Sequence, residues 1–139
     1  MTAEEARARF AAARVARLAT ADAAGRPHLV PLAFAVAGDT IYSAVDAKPK
    51  RTRALRRLAN VRVNPAVSLL VDHWDEEDWG RLWWARADGM GRVLDPEDPE
   101  ARRAVELLRE RYPRQRAEGE VLAVAVKRWS GWAGSAGHA

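Results

Sequence analysis

Residues 27–36 read PHLVPLAFAV, residues 40–45 read TIYSAV, and Gly38-Asp39 lies between the two stretches. Both stretches are mostly apolar, and a Gly-Asp pair between two such stretches is typical of a β-hairpin turn. Pro31 has no backbone N–H to donate, so it predicts an edge position or a bulge in the first strand. The segment therefore predicts a hairpin within an antiparallel sheet.

Four further apolar stretches predict strands on either side of this hairpin. They span residues 15–20 (VARLAT), 66–72 (AVSLLVD), 82–93 and 121–127 (VLAVAVK). Short turns between consecutive strands favour antiparallel pairing. About six short strands close most readily into a small barrel or a two-sheet sandwich. The predicted fold class is therefore mainly β, with about six antiparallel strands and flanking helices.

Three helices are predicted, at about residues 2–13, 52–59 and 96–112. Thr2 and Glu5 have the spacing of a capping box, which starts the first helix. Asn64-Pro65 ends the second helix, because the residue before a proline is driven out of the helical conformation. No repeat or linker divides the 139 residues, so we expect one domain over residues 1–139.

The composition excludes several kinds of chemistry. The chain has no cysteine, which excludes disulfides, thiol catalysis and Cys-based metal sites. Its three histidines, His28, His73 and His138, do not have metal-ligand spacing, so we expect no metal site. No apolar run approaches the roughly 20 residues that cross a bilayer, and residues 1–14 lack a signal-peptide core. We therefore expect a cytoplasmic protein with no membrane contact.

The net charge of +4 is concentrated in one segment. Seven of the 23 Lys and Arg residues follow a strand and cross a helix start: Lys48, Lys50, Arg51, Arg53, Arg56, Arg57 and Arg62. Free N–H groups and the macrodipole at a helix start favour an anion there, and Lys and Arg add charge-assisted donors. The cluster predicts a site for a phosphate monoester or diester. A solvated helix face is the alternative explanation.

Nucleic acid is another anion that this basic cluster could bind. However, no helix-turn-helix, RNA-recognition or zinc-finger signature accompanies the cluster, and residues 72–78 are acidic. We therefore expect no nucleic-acid partner, and binding through the basic helix stays a third hypothesis.

The tryptophans are also clustered, and four of the six are Trp74, Trp79, Trp83 and Trp84. Trp83 and Trp84 are adjacent, so on a strand their side chains point to opposite faces of the sheet. One of them can fill a barrel interior. The other needs a partner subunit or a flat aromatic cofactor to cover it.

No catalytic residue is predicted. His28, Asp46 and Asp72 are the candidate proton-transfer groups near the apolar strands, but no Ser–His–Asp or paired-carboxylate spacing includes them. A phosphate site beside apolar walls, without a catalytic constellation, fits an enzyme whose organic cofactor supplies the chemistry.

The order and spacing of these segments resemble the pyridoxamine 5′-phosphate oxidase-like flavin-binding split barrels, from about Val15 to Trp132. The stretches that carry the resemblance are VARLAT (15–20), DAAGRPHLVP (22–31), TIY (40–42), KPKRT (48–52), LRRL (55–58) and NPAVSLLVD (64–72). Residues 81–89, RLWWARADG, resemble the fifth-strand region of the actinobacterial subgroup that uses the deazaflavin coenzyme F420.

The resemblance implies a six-stranded split barrel that works as a homodimer, with a cofactor groove at the subunit interface. By position, it places the cofactor phosphate at Lys48, Lys50, Arg51 and Thr52, with Arg56 and Arg57 as weaker candidates. It places the ring system against His28, Val30, Pro31, Leu32, Ser43, Ala44 and Val45. The partner subunit would contribute Trp79, Arg81, Trp83 or Trp84. Residues 129–134, WSGWAG, lack the Arg-bearing substrate motif of the true pyridoxamine oxidases, which argues against pyridoxamine oxidation.

Two classes of function follow from the resemblance. The first hypothesis is an oxidoreductase that uses coenzyme F420 to transfer hydride to a small organic acceptor, with an FMN-dependent reductase or oxidase as its closest rival. The second is a non-catalytic protein that binds flavin, deazaflavin or haem in the same groove. In that case His28 or His73 is the candidate axial ligand of haem.

Overall fold

The computed structural model describes the backbone of residues 1–46 and 51–135, and side chains for residues 1–45 and 56–135. Its helices are α1 (Ala3–Ala12), α2 (Arg51–Val63) and α3 (Pro99–Arg111). Its strands are β1 (Ala16–Ala21), β2 (Pro27–Leu32), β3 (Ala35–Ala37), β4 (Thr40–Asp46), β5 (Ala66–His73), β6 (Trp83–Leu94) and β7 (Ala117–Ala133). A short 3-10 turn, Trp79–Arg81, precedes β6.

The strands form one antiparallel sheet in the order β2-β1-β5-β6-β7-β4-β3. The two edge strands, β2 and β3, are neighbours in the chain and are joined by Ala33 and Phe34 alone. Such a connection spans at most about 11 Å, so the sheet must curl until its edges are close. The result is a split barrel, which confirms the predicted mainly β fold class and excludes the two-sheet sandwich.

The barrel has seven strands rather than about six, because residues 27–36 form two strands and not one. β2 pairs with β1 at one edge of the sheet and β3 pairs with β4 at the other, so the split lies between β2 and β3. The chain changes edges at Phe34, whose side chain is fully buried in the core. The predicted edge position of Pro31 is confirmed, since β2 has a neighbour on one side only.

The longest strands are β6 and β7, and β6 is continuous through Gly89. Their pairing register shifts between Asp88 and Gly89, which marks a β-bulge. A Cβ atom at Gly89 would lie 2.3 Å from the carbonyl oxygen of Ala125. Glycine is therefore required here by the close approach of β7, whose extra residue, Lys127, forms the bulge and lets β7 bend with the barrel.

The helices close the barrel. The capping box predicted at Thr2 and Glu5 is present, and it starts α1. α1 buries Ala6 and Phe10 completely, and the Phe10 ring lies 5.0 Å from Phe34 between ring centroids. α2 contributes the buried Leu58 and Val61 to the same core.

The first turn of α3 is tied to the sheet by a carboxylate. The Tyr42 hydroxyl donates to Glu100 Oε2 at 2.7 Å, and Arg92 donates to both carboxylate oxygens at 2.8 and 2.6 Å. These hydrogen bonds, with that of Arg92 the stronger, lower the pKa of Glu100 to about 2. The ionised carboxylate is therefore favoured by the folded state.

Replacing Glu100 with Gln is expected to lower the free energy of unfolding by about 1–2 kcal/mol at pH 7, a value reduced by partial exposure of the pair to water. The folded pKa lies below the ordinary value of 4.5, so this stabilisation is complete above about pH 4.5 and is lost as the pH falls towards 2. Urea unfolding at pH 7 and pH 3 measures the difference, with the exposed Glu110→Gln as control. An equal loss at both pH values would contradict the assignment.

Candidate functional site

A cavity of about 140 Å³ lies where β2 and β4 meet α2 and the segment that leads into β7. We call it the arginine cavity. It brings together five of the residues predicted to bind a cofactor, namely Pro31, Leu32, Ser43, Ala44 and Arg57. Gln115 and Arg116, which precede β7, and Ala117, its first residue, also line the cavity, together with Ala33 and Leu108. The lining thus combines apolar walls with two guanidinium groups.

The wall of the cavity is fixed by a buried serine. Ser43 is buried on β4, and its hydroxyl donates to the carbonyl of Ala33 at 2.9 Å. This bond joins β4 to the junction between β2 and β3. A buried hydroxyl with a backbone partner holds its position, so the cavity wall is set before any ligand arrives.

Arg57 is the central charge of the cavity. It is half-buried, and burial lowers the pKa of its guanidinium. In residues 1–45 and 56–135, no carboxylate forms an ion pair with it. A partly desolvated cation without a counter-ion is costly, and an anion from outside would offset that cost. The exposed Arg116 adds a second positive charge to the lining.

Other predicted ring contacts lie elsewhere. The alternation along β2 points His28 and Val30 towards the barrel interior, where Val30 packs against the core. Val45 packs against the same core. The Nδ1 atom of His28 is buried and has no hydrogen-bond partner within the described part of the chain. These three residues do not line the arginine cavity.

The predicted phosphate residues can be placed only in part. Lys48 and Lys50 lie outside the described residues, as do the side chains of Arg51 and Thr52. The backbone of α2 begins at Arg51, which is one residue before the predicted helix start. Arg56 is exposed, and the next residue, Arg57, reaches the cavity.

The tryptophans form a separate groove of about 340 Å³ on β5, β6 and β7. We call it the tryptophan groove. Its aromatic lining consists of His73, Trp74, Trp83, Trp84 and Trp132. Trp83 packs against the core. Trp84 lies opposite Trp132 in the pairing register of β6 and β7, and the Arg86 guanidinium lies over its ring. These contacts confirm that the two side chains face opposite ways.

The loop before β6 presents the remaining predicted partner residues. Trp74 and Trp79 are 60% and 65% exposed, and their ring centroids are 5.4 Å apart. Arg81 pairs with Asp78 at 3.3 Å. Within the described residues, the linings of the tryptophan groove and the arginine cavity share no residue. Among the described side chains, the predicted aromatic contacts and the predicted contacts that line the arginine cavity therefore belong to different recesses.

Gln115 and Arg116 are cavity residues that the sequence did not identify. The run Arg114-Gln115-Arg116 between α3 and β7 is basic, but nothing in its spacing connects it with Arg57. Only the sheet order, which places the start of β7 beside the end of β4, brings them together.

Two further observations concern the described residues only. They contain no group of three or more His, Asp or Glu side chains arranged to hold a metal ion. None of their helices has both the length and the apolar character that a membrane crossing needs.

The fold is that of a split-barrel protein, with a recess beside the β2–β3 junction that is lined by two arginine side chains. Residues 2–133 match the family described as pyridoxamine 5′-phosphate oxidase. The chain therefore belongs to the pyridoxamine 5′-phosphate oxidase family, as its sequence predicted. No curated protein sequence matches it.

Solved structures share the fold at low sequence identity. A conserved hypothetical protein from Mycobacterium tuberculosis has 24% identity and a TM-score of 0.71, covering 96% of this chain and 85% of that one. The haem storage protein HutZ from Vibrio cholerae has 18% identity and a TM-score of 0.71, covering 96% and 95%. A FAD-binding protein from Mesorhizobium loti has 24% identity and a TM-score of 0.64, covering 94% and 92%.

Proposed function

We propose that residues 1–139 form one domain that binds a phosphorylated flavin or deazaflavin, with the phosphate in the arginine cavity. The proposed activity is that of an oxidoreductase acting on a small organic acceptor, and the bound cofactor supplies the hydride chemistry. Coenzyme F420 is the first candidate cofactor and FMN is the alternative. The observation that carries the proposal is the half-buried Arg57, which has no acidic partner among the described residues.

The size of the cavity supports a phosphate rather than a whole cofactor. Pockets that enclose a drug-sized ligand have volumes of about 300–1,000 Å³, whereas the arginine cavity has about 140 Å³. Arg57 and Arg116 supply forked donors that suit phosphate oxygens. The ring system therefore needs a second, apolar surface.

We propose that a homodimer in the cytoplasm supplies this surface. The outer face of β5, β6 and β7 exposes Leu70 and Trp132, and two of its carboxylates, Asp72 and Asp88, are paired with arginines. Arg86 donates to Asp88 at 3.0 Å, and Arg17 donates to Asp72 at 3.1 Å. An exposed apolar face whose carboxylates are paired is typical of an interface between protein chains.

Titration of the purified protein with coenzyme F420, FMN and haem tests the cofactor assignment. Tryptophan fluorescence and cofactor absorbance report binding, because the chain has six tryptophans. We expect coenzyme F420 to bind more tightly than FMN, since its anionic tail meets more of the cations in this region. Binding of FMN alone would assign the rival cofactor, and binding of neither would overturn the proposal.

A haem-binding, non-catalytic protein is the second candidate. The buried Nδ1 atom of His28 lacks a hydrogen-bond partner among the described residues, and one similar structure is a haem storage protein. Under this alternative, haem would give a shifted Soret band that His28→Ala abolishes. A haem spectrum that is unaffected by His28→Ala would remove His28 as the ligand.

A further inference from the structure

The two-residue junction between β2 and β3 is held by the end of α3. The Phe34 N–H donates to the Tyr112 hydroxyl at 3.4 Å, and Arg111 donates to the Phe34 carbonyl at 2.9 Å. The second terminal nitrogen of Arg111 donates to the carbonyl of Ala13, at the end of α1. The neighbours of Phe34 on its N-terminal side, Leu32 and Ala33, line the arginine cavity.

The Tyr112 hydroxyl lies within hydrogen-bonding distance of two backbone carbonyls. The hydroxyl oxygen lies 3.0 Å from the Phe34 carbonyl and 2.9 Å from the Arg14 carbonyl. A hydroxyl has one proton, and Arg111 already donates to the Phe34 carbonyl. A carbonyl oxygen has two lone pairs, so either carbonyl can accept this proton, and with either acceptor the hydroxyl bonds the β2–β3 junction to the end of α3.

Tyr112 also fixes the opposite wall of the cavity. Its carbonyl accepts the N–H of Gln115 at 3.0 Å, which closes the turn between α3 and β7. Gln115 and Arg116 line the cavity immediately after this turn. The Tyr112 ring packs with Ala35, Leu108 and Ala117, so the residue is anchored by its side chain and its backbone together.

We propose that Arg111 and Tyr112 form a clamp that positions both walls of the arginine cavity without contacting the ligand. Its side-chain bonds hold the β2–β3 junction, and its backbone bond holds the segment that carries Arg116. Both are positioning residues. Their effect on ligand affinity rests on the proposed function, whereas their effect on the backbone does not.

The experiment compares Tyr112→Phe with Tyr42→Phe. Each variant removes one hydroxyl that anchors α3, but the Tyr42 hydroxyl binds Glu100 at the other end of that helix. Hydrogen exchange is measured on peptides that cover residues 32–34 and 113–117, and the dissociation constant for FMN is measured by fluorescence. Thermal unfolding of the two variants provides the matched stability readout.

We expect Tyr112→Phe to accelerate exchange in the peptide that covers residues 32–34 and to weaken FMN binding about tenfold, because the cavity wall loses one positioning hydrogen bond. The peptide that covers residues 113–117 should change less, since the variant keeps the backbone bond from Gln115 to Tyr112. Tyr42→Phe should leave both readouts within about twofold of the parent protein, even where its thermal stability falls equally. Arg111→Lys keeps the positive charge but cannot donate to the Phe34 and Ala13 carbonyls at once, so it should also accelerate hydrogen exchange at residues 32–34.

Unchanged exchange in Tyr112→Phe, or equal effects of the two tyrosine variants on both readouts, would overturn the clamp. Failure of the parent protein to bind FMN or coenzyme F420 would instead overturn the proposed function. The comparison of hydrogen exchange in the two tyrosine variants still tests the clamp in that case, because it requires no ligand.

Discussion

Replacing Arg57 with Ala is expected to weaken binding of the phosphorylated cofactor by about 1.5–3 kcal/mol, or roughly 10–150-fold. The guanidinium lies in the cavity lining, and its burial lowers its pKa. A phosphate that reaches it forms a charge-assisted hydrogen bond where water competes poorly. Isothermal titration with coenzyme F420 and FMN measures the loss directly.

The matched control is Arg62→Ala on the same helix. Arg62 is exposed and pairs with Glu120, away from the cavity lining. Its removal should leave cofactor affinity unchanged. Arg57→Ala should not lower the free energy of unfolding by more than about 0.5 kcal/mol, because the variant also loses a desolvation cost. Equal affinities for Arg57→Ala and the parent protein would exclude Arg57 from the phosphate site.

Replacing Phe10 with Ala is expected to lower the free energy of unfolding by about 3–5 kcal/mol, the cost of emptying a fully buried aromatic site. The Phe10 ring is fully buried, and its centroid lies 5.0 Å from that of Phe34 and 5.4 Å from that of Trp129. The side chain thus connects α1 with the β2–β3 junction and with β7. Denaturant unfolding followed by circular dichroism measures the change.

Phe10→Leu is the control for this stability prediction. It retains most of the apolar volume, so we expect a loss of only about 1–1.5 kcal/mol. Ala11→Ser is a second control, because Ala11 is the half-buried neighbour of Phe10 on the same helix. We expect it to lower the free energy of unfolding by less than Phe10→Ala does. A loss below about 1 kcal/mol for Phe10→Ala would mean that α1 does not close the barrel as described.

Local patterns predicted much of the fold. The Thr2–Glu5 capping box, the edge position of Pro31 and the opposite faces of Trp83 and Trp84 depend on short-range rules, and the structure confirms all three. The division of residues 27–36 into two strands was missed, because both halves have the same apolar composition. Only the closure of the barrel, a long-range constraint, requires the chain to change edges at Phe34.

The candidate site was predictable to a smaller extent. Charge density indicated the segment that contains Arg57, but only the end of β2, Pro31 and Leu32, reaches the cavity, whereas Val30 packs against the core. Arg116 is far from Arg57 in the sequence and joins it only because β4 pairs with the start of β7. Contacts that depend on strand order have no local signature, so one sequence could not reveal them.

The most direct test of the phosphate site compares cofactors with and without their phosphate. Dissociation constants for FMN and riboflavin, and for coenzyme F420 and its phosphate-free deazaflavin precursor, are measured on the parent protein and on Arg57→Ala. We predict that the parent protein prefers the phosphorylated member of the favoured pair by at least about tenfold, and that Arg57→Ala removes most of this preference. Equal binding of phosphorylated and phosphate-free cofactors by the parent protein would contradict a phosphate site in the arginine cavity.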